Sequence, residues 1–156
     1  SGSFVSTLNL DAGKAFNVAN QLTINTGGIV NSTGGTLTAG NVFSSGTITQ
    51  SSGTNTVNNT LFLATRNGST GTYNLNGGTL TVGSIKSDST GGAFNFNAGT
   101  LNATDLAVGG TSPLGNTLNM NAGKVASASN SLIINSGSTV VMEGGALSVG
   151  GMATWG

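Results

Sequence analysis

The chain has no histidine, no cysteine, one proline (Pro113), and only four basic and four acidic residues among 156. Without imidazole or thiol there is no ordinary general base, thiolate nucleophile or zinc site, and disulfides cannot hold the fold. Lys14, Arg66, Lys86 and Lys124 balance Asp11, Asp88, Asp105 and Glu143, so no charge field gathers nucleic acid or anionic lipid. No apolar run reaches the roughly 18 to 20 residues of a membrane helix, and the N-terminus lacks the basic-then-apolar order of a signal peptide. The expectation is a soluble chain, and its start at Ser1 suggests a mature or excised segment. A single proline, 5% charge and 36% apolar residues also argue against disorder.

What the chain does have is Gly (27), Thr (23), Asn (20) and Ser (19), arranged in a repeat. The repeat reads apolar, polar, apolar, Asn or similar, small, Gly, any residue, apolar. Its clearest copies are Leu8 to Ala15, Tyr73 to Leu80, Phe94 to Leu101 and Leu118 to Val125, with weaker ones from Val30, Ile48 and Val140. The motif glycines, Gly13, Gly35, Gly53, Gly78, Gly99, Gly123 and Gly145, are spaced 22, 18, 25, 21, 24 and 22 residues apart. Residues 7 to 43 also align without a gap on residues 117 to 153, with 16 identities in 37 positions, an offset of five 22-residue periods.

Inside each period, apolar and polar residues alternate with a period of two, and Val, Ile, Thr, Phe and Tyr sit at the alternating positions, the pattern of strands. A unit reads as a strand, a turn at the motif glycine, a second short strand, a polar turn and a third strand. One such coil cannot fold alone, because ordering each residue costs about 1 to 2 kcal/mol and its few apolar side chains have nothing above or below them. Stacking parallel strands about 4.8 Å apart supplies those contacts. One inward column would contain Leu8, Val30, Ile48, Tyr73, Phe94, Leu118 and Val140. Its neighbour would contain Leu10, Leu75, Phe96, Met120 and Met142, interrupted by Ser32 and Gln50, which predicts weak packing in coils two and three. The expected fold is all-β: a single parallel β-solenoid over residues 1–156, about seven coils of about 22 residues with three short strands each, roughly 34 Å long.

Stretches such as Gly71 to Ser84 (GTYNLNGGTLTVGS) and Phe94 to Ala103 (FNFNAGTLNA) resemble the Gly/Asn/Thr-rich β-strand repeats of bacterial autotransporter passenger domains and other large bacterial surface repeat proteins. That resemblance implies a right-handed parallel β-helix, secreted and displayed at the cell surface. No protease or esterase motif accompanies the repeats.

A solenoid enzyme acting on polysaccharide needs clustered carboxylates. Asp11 and Glu143 share a motif position but lie six coils, about 29 Å, apart. Arg66 and Asp88, one period apart, are expected to form an exposed ion pair of little worth. Asp105 has no evident partner. No catalytic, metal or cofactor site is predicted. Outward Asn pairs, Asn74 and Asn76, Asn95 and Asn97, Asn119 and Asn121, are expected to bond along the axis as a structural amide ladder. Thr pairs at Thr36/Thr38, Thr54/Thr56 and Thr79/Thr81 form an array that resembles the ice-binding face of solenoid antifreeze proteins.

These features predict a non-enzymatic, extracellular structural protein that builds a fibre, sheath or surface stalk, with itself as partner. An ice-binding or surface-glycan-adhesive solenoid is the alternative, and a polysaccharide-processing enzyme a distant third. Counted from its first strand, the seventh coil has only 17 residues, as if lacking its third strand, and residues 1–7 could complete the coil of a neighbouring subunit. Phe4, Val5, Met142, Met152 and Trp155 are the expected self-association residues, on ends without helix, proline cluster or charged run to blunt them.

Overall fold

The computed structural model describes residues 5–156, so Phe4 lies outside it. Among the described residues there is no helix. β1 (Thr7–Asp11) and β2 (Ala15–Ile24) form the first coil, β3 (Ile29–Ser44) the second and β4 (Thr47–Leu63) the third. The fourth contains β5 (Gly71–Leu75) and β6 (Thr79–Ser87), the fifth β7 (Gly92–Phe96) and β8 (Gly99–Val108). β9 (Thr117–Asn121) and β10 (Lys124–Ile134) make the sixth, and β11 (Thr139–Glu143), β12 (Ala146–Val149) and β13 (Met152–Trp155) the seventh. All strand pairs within these coils are parallel, each strand lying on its counterpart one coil away. The chain is the expected β-solenoid of seven coils.

The inward columns follow the alternation. Leu8, Val30, Ile48, Tyr73 and Phe94 stand in register, and Leu118 faces Val140. The second column runs Leu10, Ser32, Gln50, Leu75, Phe96, with Met120 on Met142. In coils two and three the ladder runs through the corners, so each coil is one long strand where three short ones were expected. Five of the seven motif glycines take a positive φ, but in coils two and seven the left-handed residue is the preceding glycine, Gly34 (φ 130°) and Gly144 (φ 89°), instead of Gly35 and Gly145.

Coils two and three are not the weakly packed ones. Ser32, Gln50 and Asn55 are fully buried and Tyr73 is 1% exposed. They bond to one another: Ser32 Oγ donates to Asn55 Oδ1 (3.2 Å), Asn55 Nδ2 to Tyr73 Oη (2.8 Å), and Tyr73 Oη to Gln50 Oε1 (2.6 Å). Gln50 Nε2 then donates to the Gly53 and Thr79 carbonyls at 3.1 and 2.9 Å. A buried polar group is costly only when unpaired, and here each finds a partner in the next coil. Tyr73 also stacks on Phe94, ring centroids 5.3 Å apart.

The seventh coil does not lack its third strand. Met152–Trp155 (β13) pairs with Ser131–Ile134, and Thr7 belongs to the first strand of coil one, opposite Ile29. The ungapped internal alignment holds on two faces, where Leu8↔Val30 matches Leu118↔Val140 and Ala15↔Thr36 matches Val125↔Ala146. It slips by one residue on the third, where Leu22↔Val42 corresponds to Leu132↔Ala153. The extra residue lies between β12 and β13.

Candidate functional site: the end faces of the solenoid

Two concave apolar surfaces terminate the described structure. At the C-terminal end Leu132 and Ile134 form part of the lining of a hollow of about 500 Å³ with Val140, Met142, Leu147 and Trp155. At the other end Leu8, Phe16, Leu22 and Val30 help line one of about 490 Å³. Both are open cross-sections of the core. They exist because inward side chains of the first and last coils are covered on one side only, so Leu8, Phe16, Leu22, Val140, Leu147 and Val149 are only partly buried, while their counterparts in the middle coils are almost fully enclosed. Among the described residues the backbone is open as well: β1 and β2 pair only with β3, and β11, β12 and β13 only with strands of the sixth coil.

Of the predicted self-association residues, the structure brings Met142 and Trp155 together on the C-terminal face, Trp155 standing above Ile134 at 69% exposure. Met152 is equally exposed but pairs with Ser131 at an outward position, off the hollow. Val5 is exposed beside the other end, outside its lining. Leu147, Val149, Phe16 and Leu22 were not singled out from sequence, and Val140 only as a member of an inward column, although counting inward positions in the first and last coils would have found them.

On the flanks, Asn95 Nδ2 donates to Asn74 Oδ1 and Asn97 Nδ2 to Asn76 Oδ1, both at 2.8 Å, and Asn31 to Asn9 at 2.9 Å. Asn119 and Asn121 do not join this ladder: β9 pairs forward only, setting them against Val141 and Glu143. The Asn119 carbonyl instead accepts from Lys124 Nζ (2.9 Å), whose ammonium lies 5.6 Å from the Phe96 ring centre. Asp105 is not isolated. Ser131 Oγ (2.6 Å) and Asn130 Nδ2 (2.7 Å) donate to it and hold its carboxyl below the usual range, Ser131 most strongly, with Lys86 adding to the effect. The expected Arg66 to Asp88 ion pair does not form among the described residues. The Arg66 main chain bonds Ser69 Oγ instead, and Asp88 lies along a groove described below. Thr36, Thr54, Thr79 and Thr100 stand in one outward column and Thr38, Thr56 and Thr81 in the next.

Compared with models of known protein families, with curated protein sequences and with solved structures, the chain matches none.

Proposed function

We propose that this chain is an extracellular structural solenoid that assembles head to tail, the last coil of one copy stacking on the first coil of the next. The single observation carrying the reading is that each end of the described structure is an open cross-section of the core. Each is an apolar hollow of similar volume, bordered by strands with free edges, β1 and β2 at one end and β11, β12 and β13 at the other. A second copy continues every element already present: Thr7–Asp11 on Thr139–Glu143, Ala15–Val18 on Ala146–Val149, and Gln21–Ile24 on Met152–Trp155. Its Leu8 and Leu10 extend the columns ending in Val140 and Met142. The sixth and seventh coils pair five, four and four residues on the three faces, and a docked copy would add a comparable ladder. Because the two faces differ, the contact is heterologous and does not close on itself, which gives a filament.

Leu22→Lys on one face and Val149→Lys on the other test this. Each places a charge where a second coil must bury it, while on a free end the chain of methylenes can reach water. The unaltered chain should sediment as concentration-dependent polymers and show filaments of about 34 Å axial repeat in negative stain. Either variant alone should be monomeric with an unchanged β circular dichroism spectrum, and the two mixed should form one-to-one dimers and nothing longer. A monomeric parent at high concentration, or filaments persisting in the double variant, would sink the reading.

A further inference from the structure

Only one of the three faces is an unbroken ladder. The strands after the motif glycine pair through all seven coils, including Thr79–Val82 with Thr100–Ala103 and Gly99–Ala103 with Lys124–Ala128. On the third face, Thr60–Leu63 pairs with Ser84–Ser87 and there the ladder stops. It resumes one coil later with Asp105–Val108 on Ser131–Ile134. On the first face, β7 pairs only backward with β5, and β9 only forward with β11. The two breaks follow one another along the chain; the first-face one is bridged by the Phe94 amide, which donates to the Pro113 carbonyl (2.8 Å), and the third-face one is open.

The third-face break holds a groove of about 710 Å³, with Ile85, Lys86 and Ser87 on one wall and Asp105, Leu106 and Ala107 on the other. Its walls present main-chain hydrogen-bonding groups. At four of the joined third-face steps, the amide just after the strand donates to the last carbonyl of the strand one coil earlier: Ser45 to Ile24 (2.7 Å), Ala64 to Ser44 (2.8 Å), Asn135 to Val108 (3.0 Å) and Gly156 to Ile134 (3.0 Å); the step from Leu63 to Asp88, next to the groove, lacks it. The equivalent bond across the groove, Gly109 to Ser87, is replaced by Gly109 to the Gly115 carbonyl (2.7 Å), within the loop 109–116. Main-chain groups of successive strand residues point to opposite sides. The Val108 carbonyl points to the sixth coil, so Ala107 and Asp105 turn toward the groove, as Ser87 and Ile85 do from the opposite wall. Ser112 Oγ, from the loop, already donates to the Ala107 carbonyl at 2.6 Å.

We propose that this groove is a binding site for an extended polypeptide segment, which adds a strand between the two open edges. Donors and acceptors alternating along both walls at the strand repeat are matched by a peptide backbone. No aromatic ring lines the groove to serve as a platform for a sugar. The inward neighbours Ile85 and Leu106 are buried and the outward positions carry Lys86 and Asp105, so the segment that fits alternates apolar and polar residues. Ser112 holds the place of one of its amides. The site is independent of the end faces.

The probe is a capped, fluorescent peptide copying residues 58–65 of this chain (NNTLFLAT), itself a third-face strand, titrated into the Leu22→Lys/Val149→Lys protein so that the ends are blocked. In the free protein, the Asp105 and Ala107 amides should exchange with solvent at least tenfold faster than those of Leu106 and Val108, and peptide should slow them. N-methylation of alternate peptide residues should weaken binding at least tenfold, because it removes the main-chain donors that the walls would accept. Protection of Asp105 and Ala107 without peptide, binding indifferent to N-methylation, or binding of a soluble oligosaccharide in place of the peptide would overturn the proposal.

Discussion

Tyr73 is the single tyrosine of the chain and sits at the centre of the buried network joining coils two to four. Burial pushes its ionisation well above the ordinary 10.0, with the Asn55 hydrogen bond opposing in part. Below pH 10 the phenol is protonated in both folded and unfolded chains and contributes no pH dependence. Above pH 10 only the unfolded chain gives up the proton, so stability should fall by about 1.4 kcal/mol per pH unit from this group alone. Urea unfolding at pH 9, 10.5 and 11.5 measures the slope, and tyrosinate absorbance should rise only with loss of the β spectrum. Tyrosinate forming in the folded protein would contradict the network. Tyr73→Phe should cost about 1 to 3 kcal/mol at neutral pH, because it leaves the Gln50 carbonyl oxygen and an Asn55 proton unpaired. Glycine corners give a second residue-scale contrast. A Cβ on Gly78 (φ 74°) would lie 2.5 Å from the Gly53 carbonyl oxygen, whereas one on Gly13 (φ 77°) meets nothing within 4 Å. Gly13→Ala should therefore cost only the backbone penalty of about 1 to 2 kcal/mol, and Gly78→Ala clearly more, in the same denaturant titration.

At the scale of the element, adjacent residues of β7 face opposite environments. Phe96 is buried between Leu75 and the Lys124 side chain, whereas Asn95 is exposed and bonded to Asn74. Phe96→Asp removes a buried ring from the column and puts a carboxylate in its place with Lys124 as its one cationic neighbour, and should strongly destabilise the fold, while Asn95→Asp should cost under about 1 kcal/mol. Thermal melts of both decide it, and equal effects would mean that the alternation has been assigned to the wrong faces. The alternation was legible because it is a property of one strand's covalent geometry. The pairing of whole coils was not. The third strand of coil seven was missed because 17 residues looked too few for three faces, although the second coil covers all three in little more. The parting between β6 and β8 leaves no mark in the hydrophobic pattern, since Ile85 and Leu106 alternate as regularly as Leu61 and Leu132.

For the molecule as a whole, the Thr columns bear on the alternative reading. Thr36, Thr54, Thr79 and Thr100 are aligned along the axis, but Ala15 and Val125 end the column on either side. If the end faces carry the function, as proposed, the protein should show no thermal hysteresis in ice growth. If hysteresis is found and Thr54→Tyr with Thr79→Tyr removes it, the flank and not the ends carries the function.

The amino-acid sequence by itself determined the fold class, the number of coils and which side chains point inward, because a 22-residue period and a two-residue alternation are local rules that each coil obeys separately. Tertiary structure alone decided what depends on the neighbouring coil. Ser32 and Gln50 looked like defects in a column until Asn55 and Tyr73 met them from adjacent turns, and Asp105 looked solitary until Ser131 and Asn130 came to lie beside it. Likewise, β6 and β8 pair only as far as Val82 and Ala103, and beyond that point a groove lies between them. A hydrogen bond between residues some 20 positions apart has no signature in either partner's immediate sequence, and such bonds distinguish a closed coil from an open one.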